Sequence, residues 1–167
     1  LAGENVLLIA PTGTGKTEAA SLPIFHKILA GERKGIQAVY ITPLRALNRD
    51  MLRRFLEWGE QLHITVAVRH GDTSQGDRRK QSLKPPDLLI TTPESLQLLL
   101  ASKGYDKIFK DCGAIVIDEW HELLGTKRGV QVELSLARLR RWNPALRTWG
   151  LSATLSNLDE ALSRLLA

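Results

Sequence analysis

A glycine-rich segment near the start of the chain has the residue types that bind phosphate. It reads Ala-Pro-Thr-Gly-Thr-Gly-Lys-Thr over residues 10–17 and follows an apolar run. Gly13 and Gly15 allow a tight turn and let backbone N–H groups approach an anion closely. Lys16 can reach the β- and γ-phosphates of a nucleotide, and the Thr17 hydroxyl can ligate Mg²⁺. The segment predicts a nucleotide-phosphate site, and the alternative is an ordinary glycine-rich turn.

Two carboxylates follow a β-branched apolar run about a hundred residues later. Asp118 and Glu119 come directly after the run 114–117 and precede Trp120 and His121. Parallel sheets bind ligands at the carboxyl ends of their strands. Adjacent strand residues point in opposite directions, so both carboxylates reach one site only if the chain turns here. Asp118 is then placed to hold Mg²⁺, and Glu119 to deprotonate an attacking water. The alternative is a helix start with Asp118 as its N-cap.

The elements around these segments alternate between strand and helix patterns. Strand patterns cover 6–10, 38–42, 64–68, 88–91, 114–117 and a run beginning at Thr148. Helix patterns cover 16–30, about 44–62, a segment opened by Pro93, about 130–142 with Leu134 and Leu139 facing inward, and a final helix. This alternation predicts an α/β fold, a parallel sheet with helices on both faces in three layers.

The second predicted helix has two distinct faces. One carries an apolar stripe that predicts core packing: Leu44, Leu47, Met51, Phe55, Trp58 and Leu62. The other carries arginines at 45, 49 and 53, which form either a solvated face or a line of phosphate contacts. We also expect Trp120 and Trp149, which flank the predicted site, to pack in the core.

The composition bounds the class of protein. The chain has 167 residues, 43% of them hydrophobic, which suits one compact domain. Its net charge of +5 favours an anionic partner such as nucleic acid, although a basic surface that only aids solubility is the alternative. The single Cys112 excludes an internal disulfide, favours a cytoplasmic setting and is expected in the core. No run approaches the ~20 apolar residues of a membrane span, so no membrane partner is expected.

Five segments together resemble a known family. They are APTGTGKT (10–17), TPLRAL (42–47), TTPESL (91–96), DEWH (118–121) and SAT (152–154). In this order they are similar to the motifs of the first RecA-like domain of superfamily 2 helicases, P-loop NTPases of the DExH type. HGDTS (70–74) and DEWHELLGTKRG (118–129) most resemble the large helicase-related (Lhr-type) group, and within it the branch associated with DNA ligase. The resemblance covers residues 3 to about 157. Ala10 stands where the general phosphate-loop pattern has glycine, and this family also has alanine there.

The resemblance implies a role for each matching position. Residues implied to bind ATP are Pro11, Thr12, Gly13, Thr14, Gly15, Lys16 and Thr17, with Thr17 and Asp118 on Mg²⁺ and Lys16, Asp118 and Glu119 in catalysis. His121, Ser152 and Thr154 are implied to couple the nucleotide site to the nucleic-acid site. The implied nucleic-acid contacts are Pro43, Leu44, Arg45, Thr91, Thr92, Pro93 and Glu94.

The implied function is an ATP-dependent motor that moves on single-stranded DNA or RNA, in the 3′ to 5′ direction typical of the family. Backbone contacts carry no sequence code, so we expect little sequence specificity. The resemblance stops before a second RecA-like domain with its arginine fingers, so we expect that partner domain elsewhere in the same protein and weak activity without it. Alternatives are a translocase that separates no strands, a binding module without catalysis, and a small-molecule kinase.

Overall fold

Six parallel strands form the centre of the part of the molecule that the structure describes. The computed structural model describes residues 4–32, 34–43, 49–154 and 158–166. The strands are β1 (Val6–Ile9), β2 (Ala38–Ile41), β3 (Val66–Arg69), β4 (Leu88–Thr91), β5 (Ala114–Ile117) and β6 (Arg147–Ser152). They form one sheet in the order β1-β6-β5-β2-β4-β3, and every neighbouring pair is parallel. The predicted α/β class with a parallel sheet is confirmed.

Helices connect the strands and cover both faces of the sheet. They are α1 (Lys16–Ala30), α2 (Arg49–Gln61), α3 (Gln75–Leu83), α4 (Pro93–Ala101), α5 (Tyr105–Phe109), α6 (Trp120–Leu123), α7 (Lys127–Trp142) and α8 (Leu158–Leu166). Helices α3 and α5 were not predicted from the sequence, because α3 has no buried residue and α5 is only five residues long.

Strand alternation divides the buried apolar residues between two cores. In β2, Val39 and Ile41 belong to the core beneath α4 to α8, whereas Ala38 and Tyr40 belong to the core beneath α1 and α2. All four residues of β2 are buried, and the same holds for β4 and β5. Strands covered on both faces need apolar side chains at every position, which explains the continuous apolar runs in the sequence.

Several element boundaries differ from the sequence prediction. The strand predicted from Ile64 begins at Val66 and extends to Arg69, although Ile64 is itself buried. Within α2, Met51 and Phe55 are buried as predicted, while Leu44 and Leu47 lie outside the described residues.

The prediction that Leu134 faces the core is wrong. Its side chain is 60% exposed, whereas Leu139 is buried as expected. The buried stripe of α7 runs through Val132, Leu136 and Leu139, spaced by four and three residues. Leu134 follows Val132 by two residues, or about 200° of helical rotation, and therefore faces away from the sheet.

Trp120 and Cys112 are buried core residues, as the sequence predicted. Trp120 is 0% exposed and its indole N–H donates to the Ala161 carbonyl at 3.2 Å. Burial raises the pKa of the Cys112 thiol to about 12, so this cysteine is an inert core residue. Trp149 packs against the α1 and α2 core while partly exposed.

Among the described residues, none of the helices has the combined length and apolar character that crossing a bilayer requires.

Candidate active site

The phosphate loop joins β1 to α1 in the predicted position. Gly13 and Gly15 have φ of +79° and +87°, in the region that favours glycine, and the strained turn is therefore built on the residues that tolerate it. The Thr14 hydroxyl donates to the Pro11 carbonyl at 2.7 Å, which fixes the start of the loop. Lys16 opens α1, so the loop leads into a helix N-terminus, whose free amides favour the binding of an anion.

Lys16 is held inside the loop. Its side chain is mostly buried, and its ammonium donates to the carbonyl of Pro11 at 2.8 Å and to that of Ala10. Both acceptors are neutral carbonyls, so neither hydrogen bond pairs the ammonium with a carboxylate. The positive charge lies in the cleft that also contains Asp118 and Glu119.

The two carboxylates lie at the carboxyl end of β5. The Asp118 amide continues the ladder by donating to the Ile41 carbonyl at 2.8 Å. Glu119 then adopts φ of +51°, a left-handed conformation that is costly for any residue with a Cβ. This is the turn that both carboxylates need in order to reach one site. It directs both carboxylates into the same cleft, and Asp118 does not act as an N-cap, since α6 has Glu119 at that position.

The carboxylate of Asp118 is fixed by two donors. The Tyr40 hydroxyl donates to Oδ2 at 2.8 Å, and the Glu119 amide donates to Oδ1 at 3.0 Å. Burial raises the pKa of Asp118 above its usual range, and the two hydrogen bonds and the charge of Lys16 partly oppose that effect. Tyr40 was not among the residues predicted for the site. Its signal was a tyrosine within an otherwise apolar buried strand, where a hydroxyl needs a partner.

Glu119 connects the cleft to the end of β6. Its Oε2 lies 3.4 Å from Nδ1 of His121, and the same nitrogen is 3.2 Å from the Ser152 hydroxyl. Ser152 also donates to the Thr154 carbonyl at 2.8 Å. Burial and the charge of Asp118 raise the pKa of Glu119, while His121 and Lys16 lower it. The residues predicted to couple the two sites are thus in mutual contact, and their coupling role stays a prediction.

One cleft of about 270 Å³ contains both chemical segments. Its lining residues are Thr12, Gly13, Gly15, Lys16, Thr17, Glu18, Arg54, Asp118 and Glu119. Arg54, which is in α2 and forms an ion pair with Glu18, was not predicted to be part of the site. Arg54 was hard to predict because α2 contains several arginines, and the sequence alone does not indicate which of them reaches the cleft. The cleft therefore combines loop amides, two cations and three carboxylates in one small volume.

The donor set of this cleft fits a magnesium ion bound together with a nucleotide. Mg²⁺ takes hard oxygen ligands, keeps several waters, and is bound through one or two carboxylates plus substrate phosphates. Thr17 and Asp118 supply one hydroxyl and one carboxylate to the same cleft. Across the described part of the chain, no group of three or more His, Cys, Asp and Glu side chains could hold a metal ion without such a substrate.

The segment after β4 is a capped helix start. The Thr92 hydroxyl accepts from the Ser95 amide at 3.4 Å, and Pro93 opens α4. The Thr91 hydroxyl donates to the Arg69 carbonyl at 2.8 Å, and Glu94 accepts from Arg128 at 2.6 Å. These side chains therefore have partners inside the protein. Pro43 is buried at the end of β2, while Leu44 and Arg45 lie outside the described residues. Nucleic-acid contact at all seven positions stays a prediction.

Arg78 holds the HGDTS loop together. It donates to the Thr73 carbonyl at 2.9 Å and to the Gly71 carbonyl at 2.7 Å. Arg79 and Lys80, the next two residues of α3, are exposed, whereas the Arg78 side chain turns back onto the loop.

Comparison with known proteins finds helicases among the relatives of this chain. A family model described as DEAD/DEAH box helicase matches residues 1–161. The ATP-dependent helicase Lhr-Core protein 2 of Thermococcus barophilus is 38% identical over 95% of this chain and 20% of its own length. The Lhr helicase/uracil glycosylase of Escherichia coli is 36% identical over 94% of this chain and 12% of its own length.

A solved structure shows the same fold. The Mycobacterium smegmatis helicase Lhr bound to ssDNA and AMP-PNP matches with a TM-score of 0.82 and 39% identity. The match covers 95% of this chain and 22% of that one. The chain thus spans about a fifth, or less, of the length of the relatives that it matches.

Proposed function

Because the chain belongs to the DEAD/DEAH box helicase family, we propose that it is the ATP-hydrolysing motor domain of a nucleic-acid helicase. The observation that carries the proposal is the single cleft that contains both the phosphate loop and the carboxylates at 118 and 119. A nucleotide needs this pairing, since its phosphates require cations and amides while the attacking water requires a base.

The residues of the cleft divide the chemistry between them. Lys16 and the loop amides bind the β- and γ-phosphates and neutralise part of their charge. Thr17 and Asp118 hold Mg²⁺, which when bound shields the phosphate oxygens and the developing charge. Glu119 orients a water and accepts its proton as the water oxygen bonds to the γ-phosphorus. The bond from that phosphorus to the β–γ bridging oxygen breaks, and ADP and phosphate leave.

A contact path leads from this chemistry to the end of β6. His121 lies between Glu119 and Ser152, at 3.4 and 3.2 Å, and Ser152 contacts Thr154. Protonation or movement of Glu119 therefore changes its contact with His121. Through His121, it also changes the contact with Ser152. We assign to this path the coupling of hydrolysis to movement on nucleic acid.

The proposed track is single-stranded DNA or RNA, bound with little sequence specificity. The net charge of +5 supports an anionic partner, and the M. smegmatis relative was solved with ssDNA. The proposed contacts are Pro43, Leu44, Arg45, Thr91, Thr92, Pro93 and Glu94. Buried threonine side chains at 91 and 92 leave backbone groups and the α4 N-terminus as the phosphate donors in that segment.

The architecture beyond this domain is also a proposal. The relatives are several times longer than the chain, which supports a second RecA-like domain in the same protein as the partner that completes the motor. The cytoplasmic location and the ligase-associated branch stay predictions.

The second candidate function is a translocase that moves without separating strands. A strand-displacement assay on the longer protein distinguishes the two, because only a helicase releases the paired strand.

Substitution of the proposed base tests the function directly. We expect Glu119→Gln to lower ATP turnover about 10²–10⁴-fold while ATP still binds, since general base catalysis contributes roughly that factor. Turnover would be measured by phosphate release and binding by a fluorescent ATP analogue. Glu122→Gln removes an exposed carboxylate three residues away and is the matched control. Equal loss in both variants, or no loss in either, would contradict the assignment.

Salt dependence tests the nucleic-acid side. We expect the logarithm of the affinity for an unstructured oligonucleotide to fall linearly with the logarithm of the salt concentration, because phosphate contacts release counterions. Fluorescence anisotropy at a series of salt concentrations provides the slope. Oligonucleotides of different sequence should give equal slopes, whereas a flat titration would rule out phosphate-based binding.

A further inference from the structure

Tyr40 is a buried tyrosine next to the metal-binding carboxylate. Its side chain is 0% exposed, in the middle of β2. The ring packs in the core beneath α1 and α2, with its centroid 5.1 Å from that of Phe55 in an edge arrangement. A phenylalanine would satisfy this packing. The hydroxyl is therefore the part of the residue that needs a separate explanation, since a buried hydroxyl is costly without partners.

Strand register accounts for the contact with Asp118. Tyr40 pairs with Val116 across the β2–β5 ladder, and Asp118 follows Val116 by two residues. Residues two apart on a strand share a face, so Tyr40 and Asp118 are on the same side of the sheet. The phenol spans the remaining distance along the strand and donates to Oδ2 at 2.8 Å.

Thr17, the other residue to which Mg²⁺ is assigned, is in the first turn of α1, which covers the face of the sheet from which Tyr40 projects. The phenol therefore restrains Asp118 from the side of the sheet on which Thr17 lies. The other carboxylate oxygen of Asp118 accepts from the Glu119 amide at 3.0 Å, so both oxygens of this carboxylate are restrained.

We propose that Tyr40 is a positioning residue that holds the Asp118 carboxylate in its orientation as an oxygen donor for Mg²⁺, an inference that rests on the proposed ATPase function. The hydroxyl fixes the rotation of the carboxylate. Removal of a group that orients a metal ligand in this way typically weakens metal affinity about 10–100-fold.

The first test compares the two tyrosines of the chain. We expect Tyr40→Phe to raise the Mg²⁺ concentration for half-maximal tight binding of a fluorescent ATP analogue about tenfold. Binding of the analogue in EDTA should change less than about twofold, because the phosphate loop is untouched. Tyr105→Phe removes the other buried tyrosine hydroxyl, which contacts Ser82 and Arg69 far along the sheet, and should leave both values unchanged.

A spectroscopic test retains the native side-chain packing. With 3-fluorotyrosine incorporated, the two tyrosines of the chain give two ¹⁹F resonances, which Tyr105→Phe assigns. We expect Mg²⁺ added to the ADP-bound chain to shift the Tyr40 resonance and not the Tyr105 resonance. This measurement decides the question even where Tyr40→Phe fails to fold, which a melting curve would reveal.

The outcomes separate this inference from the function on which it rests. If the wild-type chain shows no Mg²⁺-dependent nucleotide binding, the proposed ATPase function fails. Only the role of Tyr40 is overturned if the wild-type chain binds nucleotide in an Mg²⁺-dependent way and Tyr40→Phe leaves that dependence unchanged. The same holds if Mg²⁺ does not shift the Tyr40 resonance. A tenfold change confined to the Mg²⁺ dependence, with a Tyr40-specific shift, supports it.

Discussion

Glu119 combines two unfavourable features at one position. Its backbone is in the left-handed region, and burial beside Asp118 raises the pKa of its carboxyl. Left-handed conformations cost a residue with a Cβ about 1–2 kcal/mol. A residue selected only for stability would have neither feature, and strained, electrostatically perturbed residues concentrate at functional sites. The strain directs the carboxylate into the cleft, and the raised pKa strengthens it as a base.

The raised pKa of Glu119 predicts the acid limb of the pH profile. A general base works only when deprotonated, and a raised pKa means that the proton is retained to higher pH. We therefore expect ATP turnover to decline on acidification at a pH above 4.5, the ordinary value for glutamate. A pH–rate profile at saturating ATP provides the measurement. An acid limb centred at or below the ordinary value would contradict the proposed environment of Glu119.

The same pKa predicts that Glu119→Gln is not destabilising. A carboxyl whose pKa is raised in the fold contributes most stability while protonated, and that contribution is lost as pH rises through the folded-state pKa. At neutral pH the ionised Glu119 therefore opposes folding, and a neutral amide removes that cost. We expect the variant to melt at or above the wild-type temperature at pH 7. A clearly lower melting temperature would show that the carboxylate stabilises the fold.

The residues of the site were predictable where local spacing determines them. Lys16 and Thr17 follow the loop glycines directly, and Asp118 and Glu119 follow a strand directly, so each pair has one possible location. Tyr40 and Arg54 reach the same cleft from elements distant in sequence. Their contacts depend on which strands and helices are neighbours, and a single sequence does not specify those neighbours.

At the scale of elements, α7 shows how a helical period decides what is buried. Both Leu134 and Leu139 were predicted to face inward, but only residues in register with Val132 do so. A period estimated from two leucines leaves the phase of the stripe undetermined. The sequence predicted most of the α7 helix but not which of its sides packs on the sheet.

Two leucine variants measure that difference. We expect Leu139→Ala to lower the free energy of unfolding by about 2–5 kcal/mol, because it leaves a cavity in the core. Leu134→Ala should change it by no more than about 0.5 kcal/mol, since Leu134 is on the exposed side. Urea denaturation of both variants gives the comparison. Similar losses in the two variants would place Leu134 against the sheet after all.

Gly129 determines how closely the start of α7 approaches α6. A Cβ at this position would lie 2.2 Å from the backbone oxygen of Leu123, so backbone must move. We expect Gly129→Ala to destabilise the chain by about 1–3 kcal/mol, the usual cost of overpacking. Gly76→Ala, in the first turn of α3, meets only the Ser74 hydroxyl at 3.8 Å and is the matched control. Equal stability of the two variants would contradict the close contact.

At the scale of the molecule, the parallel sheet brings distant segments to one edge. Alternating strand and helix patterns predicted that edge, because carboxyl ends of parallel strands coincide. The strand order was not predictable, since nothing in the local patterns indicates that β6 pairs with both β1 and β5. Long-range pairing depends on the packing of the whole sheet.

The proposed partner domain predicts slow turnover for this chain alone. An arginine finger contributes about 10³–10⁵ in rate in related NTPases, and we propose that a second RecA-like domain supplies it. We expect the longer protein to exceed the isolated chain by a factor within that range when nucleic acid is present. Phosphate release from both proteins at saturating ATP checks this. Equal turnover numbers would mean that this domain has a complete active site.

The position of β6 makes it a spacer between the two catalytic segments. Its terminal Ser152 accepts from the Ala10 amide at the start of the phosphate loop and contacts His121 beside the carboxylates. With strands ~4.8 Å apart, β6 sets a separation of roughly 10 Å between the ends of β1 and β5. Deleting one residue within β6 would turn Ser152 to the opposite side of the sheet. This shift in strand register would break the contacts of Ser152 with the phosphate loop and with His121, while every catalytic side chain would still be present.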